Sequence, residues 1–176
     1  MNYRTRSFNI FGQIDDLYTH TLNKNEFVTR VYDDGNRINQ QLKRNRNTNF
    51  FSAKTGLDWY IDTQNTLTVS ALFGSEKILD NGDEPFFSGD MSQRLRLWTF
   101  LEDGLKTTVM MTTNFQHKFK EAGHTLAFNY NYTFHREDEK YFFDNIMPSF
   151  TGKDAFKLLS DEYVSDFSID YTKPLS

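Results

Sequence analysis

His124-Thr125-Leu126-Ala127-Phe128-Asn129-Tyr130-Asn131-Tyr132-Thr133-Phe134-His135 decides the fold. Successive side chains of an extended chain point to opposite faces. Leu126, Phe128, Tyr130, Tyr132 and Phe134 therefore share one face, and Thr125, Ala127, Asn129, Asn131, Thr133 and His135 share the other. The same alternation recurs on both sides. In 105–119, Leu105, Val109, Met111, Phe115 and Phe119 oppose Lys106, Thr108, Thr112, Asn114, Gln116 and Lys118. In 66–73, Leu67, Val69, Ala71 and Phe73 oppose Thr66, Thr68 and Ser70, with Leu72 as the exception. Residues 51–62, 163–171 and, less cleanly, 8–18 complete six strands. No segment carries a helical period; at most one short turn is expected, at 154–159 inside a loop.

The 176 residues include 18 Phe and 9 Tyr, yet hydrophobic residues make up only 38%. So many aromatics argue against disorder. A polar average with dense aromatics fits a sheet with one greasy and one wet side. No run approaches the 18 or more apolar residues of a membrane helix. The net charge of -4 gives no basic face, so nucleic acid is not expected as a partner. Cysteine is absent, which removes disulfide and thiol chemistry. Asn2-Tyr3-Arg4-Thr5-Arg6 opens the chain without an apolar signal region, which fits either a cytoplasmic protein or a piece of something longer; the strand pattern favours the second, a single segment, 1–176, of a longer protein.

The connections alternate in length. Residues 62–65 and 120–123 are short, whereas 19–48, 74–93 and 137–162 are long, polar and charged. Short turns at one end and long loops at the other are the pattern of an outer-membrane barrel. The expected fold is all-β: an antiparallel up-and-down meander, part of a transmembrane β-barrel, with about six long strands, three long extracellular loops and short periplasmic turns. Trp59, Tyr60, Phe115, Phe119, Phe134, Tyr163 and Tyr171 lie near strand ends, where interfacial girdles sit. Asp34-Gly35 predicts a small hairpin over 31–38, standing within the first loop. Asp103-Gly104 predicts a bulge between an upper strand at 94–101 and the crossing at 105–119. A hairpin turn there is the alternative, and it would invert every later strand.

Three stretches resemble strand-and-turn units of the C-terminal barrel of TonB-dependent receptors of the Bacteroidota type, within the outer-membrane beta-barrel protein family. They are residues 55–62 with 65–70, residues 115–119 with 122–126, and residues 169–175. The likeness covers most of the chain and is firmest from Phe51 to Phe134. It implies a wall segment of a receptor that imports a nutrient such as a siderophore, glycan or peptide across the outer membrane. It also implies outer-membrane lipid, a plug domain and a TonB-type energy complex as partners in the full-length protein. The chain ends on Lys173-Pro174-Leu175-Ser176, read as a turn, so signal peptide, plug and terminal strand are expected outside it. The alternative is a soluble all-β binding module, holding a glycan through loop aromatics.

No residues are assigned to catalysis, to a cofactor or to a metal. His20, His117, His124 and His135 are scattered, and residues 80–84 lack the spacing of a calcium loop. Glu137-Asp138-Glu139 has nothing to fix it as an acid–base pair, and no nucleophile elbow or phosphate loop is present, so an enzyme is not expected. The candidate ligand-contact residues are the loop aromatics Phe86, Phe87, Tyr141, Phe142 and Phe143. Aromatics among carboxylates either stack on a ligand or pack on each other.

Overall fold

The computed structural model describes residues 1–174, without side-chain detail for residues 22–24; Leu175 and Ser176 lie outside the described residues. The strands are β1 (Asn2–Arg4), β2 (Phe8–Val31), β3 (Arg37–Tyr60), β4 (Asn65–Ser88), β5 (Arg94–Lys118), β6 (Thr125–Met147) and β7 (Phe150–Thr172). They form one antiparallel meander in sequence order, open at both edges, with no helix among the described residues. The all-β up-and-down arrangement and its six long strands are those expected.

The segments expected as long loops are paired strand instead. Residues 19–48, 74–93 and 137–162 continue the registers of β2 to β7 up to tight turns at the far end. Their sequence hides this because both faces carry charge there. Ion pairs between neighbouring strands hold the upper halves: Lys77 with Asp103, Lys106 with Glu137 at 2.7 Å, and Lys157 with Asp138 at 3.0 Å. The expected bulge at Asp103-Gly104 is also absent. Gly104 pairs in register with Ile78 on one side and Glu139 on the other, so β5 runs straight through. Residues 154–159 are strand, not a helical turn. The hairpin at 31–38 forms, but as the tip of the β2–β3 pair.

The turns follow from their residues. Gly35 takes φ 83°, which glycine adopts without strain, and the Asp34 carboxylate accepts from the Asn36 amide at 3.0 Å. At the opposite end Asp62 accepts from the backbone of Gln64 at 2.7 Å and of Asn65 at 2.8 Å, closing the β3–β4 turn. Gly123, at φ 77°, closes β5–β6.

Pairing sorts the side chains into two faces. One rung of the first face is Phe8, Trp59, Leu67, Phe115, Phe128 and Ile169; the next is Ile10, Leu57, Val69, Thr113, Tyr130 and Phe167. The matching rung of the other face is Asn9, Asp58, Thr68, Asn114, Asn129 and Ser168. Here Asn9 donates to Asp58 at 2.9 Å, Thr68 donates to Asp58 at 2.8 Å, and Asn129 donates to Ser168 at 3.1 Å.

Burial is one-sided and inverted. Among the described residues the buried ones are Gln40, Ser70, Gly74, Ile78, Asp80, Gly104 and Glu139, and all point to the polar face. The sheet is curled toward that face, hereafter the inner one. The outer face leaves Val69 43%, Met111 53%, Phe167 74% and Ile169 65% exposed. Asp, Glu, Lys and Arg are absent from its lower belt. The uncharged outer run spans residues 126–134 on β6, 163–171 on β7 and 65–75 on β4. Charge begins one rung higher, with Asp16, Arg136 and Asp161.

Candidate ligand-contact face

Above the belt, the inner face gathers charge and then rings. Asp80, fully buried on β4, lies between Arg44 and Arg46 of β3 and is the register partner of Glu102 on β5. Arg44 Nε donates to Asp80 Oδ2 at 2.7 Å, and this bond pushes the guanidinium further up. Two rungs lower Lys106 bridges Glu137 at 2.7 Å and Glu139 at 3.2 Å. Burial, followed by the charge of Asp80, raises the Glu102 carboxyl above the ordinary carboxylate range. Tyr141 donates its hydroxyl to Glu139 at 2.6 Å, which holds its own proton on up to about pH 12.

The raised Glu102 has a pH consequence. Its folded form holds a proton more tightly than the unfolded chain does, so its favourable contribution exists at low pH and is lost as pH rises through the folded pKa. Glu102→Gln is therefore expected to raise the thermal midpoint near pH 7 and to leave it nearly unchanged below about pH 4. A lower midpoint at neutral pH would show that Glu102 is needed as an anion by Arg44 and Arg46.

The rings stand higher still. Trp98 stacks on Phe143 at 5.1 Å, Tyr141 on Phe156 at 4.7 Å, and Phe143 on Phe156 at 5.7 Å. Tyr141 and Phe143 are tilted only 3° from each other. At the other end of this stack the Arg96 guanidinium lies 5.5 Å from the Trp98 ring and 5.1 Å from Phe86.

The five aromatics singled out from sequence divide by face. Phe86, Tyr141 and Phe143 all point to the inner face, Phe86 being linked to the other two through Arg96 and Trp98, whereas Phe87 and Phe142 point outward, with Phe142 46% exposed. Strand alternation causes the split; a loop would have imposed none. Tyr141 and Phe143 also pack on each other. Trp98, Phe100, Phe156 and Arg96 belong to the same cluster and were not picked out. The signal for them was the spacing of two in Arg96-Leu97-Trp98-Thr99-Phe100, read as strand but not as part of a site.

Gly82 lets this cluster close up. A Cβ there would strike the Lys43 carbonyl oxygen and come within 2.7 Å of the Phe100 ring, on which Arg44 lies at 5.8 Å. Gly82→Ala is expected to cost about 1–3 kcal/mol by forcing β3 from β4. At Gly74 a Cβ meets nothing closer than 3.7 Å, so Gly74→Ala should gain about 0.5 kcal/mol. Denaturant titration of the two variants checks the contrast; equal effects would contradict it.

Among the described residues no group of three or more His, Asp or Glu could hold a metal ion. No protein-family model matches the sequence, and no curated protein matches it.

Proposed function

We propose that this chain is a wall segment of an outer-membrane β-barrel, in a receptor of the TonB-dependent type that takes a nutrient across the outer membrane. One observation carries the reading: the polar face is the buried one and the uncharged aromatic belt is the exposed one. A water-soluble sheet packs its apolar face inward. A barrel in lipid does the reverse, with an apolar band outside and a polar lumen.

Two dimensions support it. The uncharged outer runs on β4, β6 and β7 match the roughly 9–11 residues that a tilted strand needs to cross a bilayer. The long strands have 23–25 residues, so each reaches roughly 80 Å at about 3.4 Å per residue, well beyond a hydrocarbon core of about 30 Å. The upper halves then stand outside the membrane as paired hairpins, with the inner ring cluster facing an entering solute. The free edges of the sheet, β7 on one side and β1 with the uncovered length of β2 on the other, fit further strands of a larger barrel, because open edges are not tolerated in hydrocarbon. In this setting the plug and the TonB-type energy complex act from other parts of the protein. The soluble glycan-binding reading is weaker, since Tyr141 and Phe143 present their faces to neighbouring rings and the outer belt would lie in water.

The test is fractionation of cells expressing the full-length protein. Recovery with the outer membrane, resistant to salt and carbonate and released by detergent, is the expected result. Recovery as a monodisperse protein in the detergent-free soluble fraction would overturn the proposal.

A further inference from the structure

Phe87 faces away from the inner ring cluster and has other neighbours. Beside it the register of β5 slips: Phe86 pairs with Arg96, but Phe87 pairs with Arg94. This bulge at Leu95 sends Arg94 to the outer face although Arg96, two residues on, points inward; bulges re-aim side chains in this way. Phe87, Pro85 and Leu97 form an apolar floor between Arg94 at one end and Lys43 with Asp83 at the other, and these residues line an open groove of about 690 Å³. Elsewhere on the upper outer face Lys77, Arg136, Lys153 and Lys157 each answer a carboxylate. Lys43 and Arg94 form no ion pair among the described residues, and Lys43 makes no bond to Asp83 even though the two are register partners. Both cations are exposed, so a solute in the groove reaches them.

We propose that Lys43, Phe87 and Arg94 form a binding groove for a small aromatic dicarboxylate. The groove has the size of a small-molecule site, for which roughly 300–1,000 Å³ is usual. Two strand spacings put Lys43 about 10 Å to the side of Arg94, and four residues put it about 14 Å along the strands. The long, exposed side chains close this span from both ends, so a rigid two-ring body presents one acid group to each cation. The Arg94 guanidinium takes a carboxylate through two parallel N–H donors, whereas Lys43 acts as a point charge. The rings of the ligand lie over Phe87 and Pro85. Asp83 offsets part of the Lys43 charge, which makes the Arg94 end the stronger one. The groove requires only the pairing of β3 to β5, so its failure would leave the membrane reading standing.

Equilibrium dialysis of naphthalene-2,6-dicarboxylate against the full-length protein in a nonionic detergent tests this, with protein-free micelles as the reference. Saturable binding that weakens with added salt is expected. 2-Naphthoate, which has one acid group, and succinate, which has no rings, should each bind about fivefold more weakly or worse. Arg94→Gln should weaken the dicarboxylate by about tenfold, Phe87→Ala by about fivefold and Lys43→Gln by about threefold. Asp83→Asn should tighten it by about twofold, a gain that a misfolded chain cannot produce. Lys140→Gln, which removes an outer-face cation outside the groove, should leave the affinity unchanged. No saturable binding beyond that of the micelles, succinate or 2-naphthoate binding as tightly as the dicarboxylate, or unchanged affinity in Arg94→Gln and Lys43→Gln would overturn the proposal.

Discussion

Arginine in place of Val69 is expected to block assembly of the full-length protein in a bilayer, whereas arginine in place of Asn129 is expected to be accepted. Val69 sits in the third rung of the outer belt, between Leu57 and Thr113 and level with Tyr130 at the middle of the β6 run, and is 43% exposed. In lipid that exposure is contact with acyl chains, and a cation there costs about 2–4 kcal/mol near the midplane. A domain whose total stability is about 5–15 kcal/mol loses a large share of it to one such change. Asn129 lies on the opposite face, where its amide reaches Ser168 and Asp170 at 3.1 Å. An arginine there still finds the Asp170 carboxylate, so the change should stay within about 1 kcal/mol. Refolding yield into lipid vesicles measures both. Equal yields would remove the distinction between the faces on which the fold rests.

Loss of the Asp80 carboxylate is the second large effect. Asp80 is fully buried and answers both Arg44 and Arg46. Asp80→Ala leaves two guanidinium groups facing each other across an empty position. Removing one member of a buried pair costs about 3–5 kcal/mol. The side chains of Arg44 and Arg46 keep 29% and 40% of their exposure, so water screens part of the loss and about 3 kcal/mol is expected. The damage should be local. Amide exchange should speed up in the upper halves of β3, β4 and β5, around Arg46, Asp80 and Glu102, while the belt around Val69 and Met111 stays protected. Uniform protection in the variant would show that the ion cluster is not what holds the upper hairpins.

The lower half of the sheet was legible because its two faces differ sharply. Phe128, Tyr130 and Tyr132 against Asn129, Asn131 and Thr133 leave one solution, and the structure gives that register against Phe115, Thr113 and Met111. The short turns at Asp62 and Gly123 were equally plain from their residues. The upper half was not legible as strand. In Glu137-Asp138-Glu139-Lys140-Tyr141-Phe142 both faces carry charge and ring, so alternation has no contrast to read. What fixes the strands there lies on other strands: Lys106 is 31 residues from Glu137, and Arg44 is 36 residues from Asp80. Asp103-Gly104 looked like an interruption for a local reason, since both residues favour turns. Tertiary packing overrode it, with Gly104 buried between Ile78 and Glu139. The candidate site was half legible for the same cause. Aromatic doublets such as Phe86-Phe87 stand out in the sequence, but which member faces inward depends on strand pairing that the local pattern does not reveal.

The inverted sheet is tested most directly by scanning single cysteines along β6. The chain has no native cysteine, so each position from Ala127 to Phe134 can be labelled alone. In the full-length protein in vesicles, Phe128→Cys, Tyr130→Cys and Tyr132→Cys should resist a water-borne maleimide and be quenched by brominated lipid when given a fluorophore. Asn129→Cys, Asn131→Cys and Thr133→Cys should react from water and escape the quencher. A strict period of two with the aromatic positions in lipid is the result this account requires; labelling without alternation, or with the aromatic positions open to water, would contradict it.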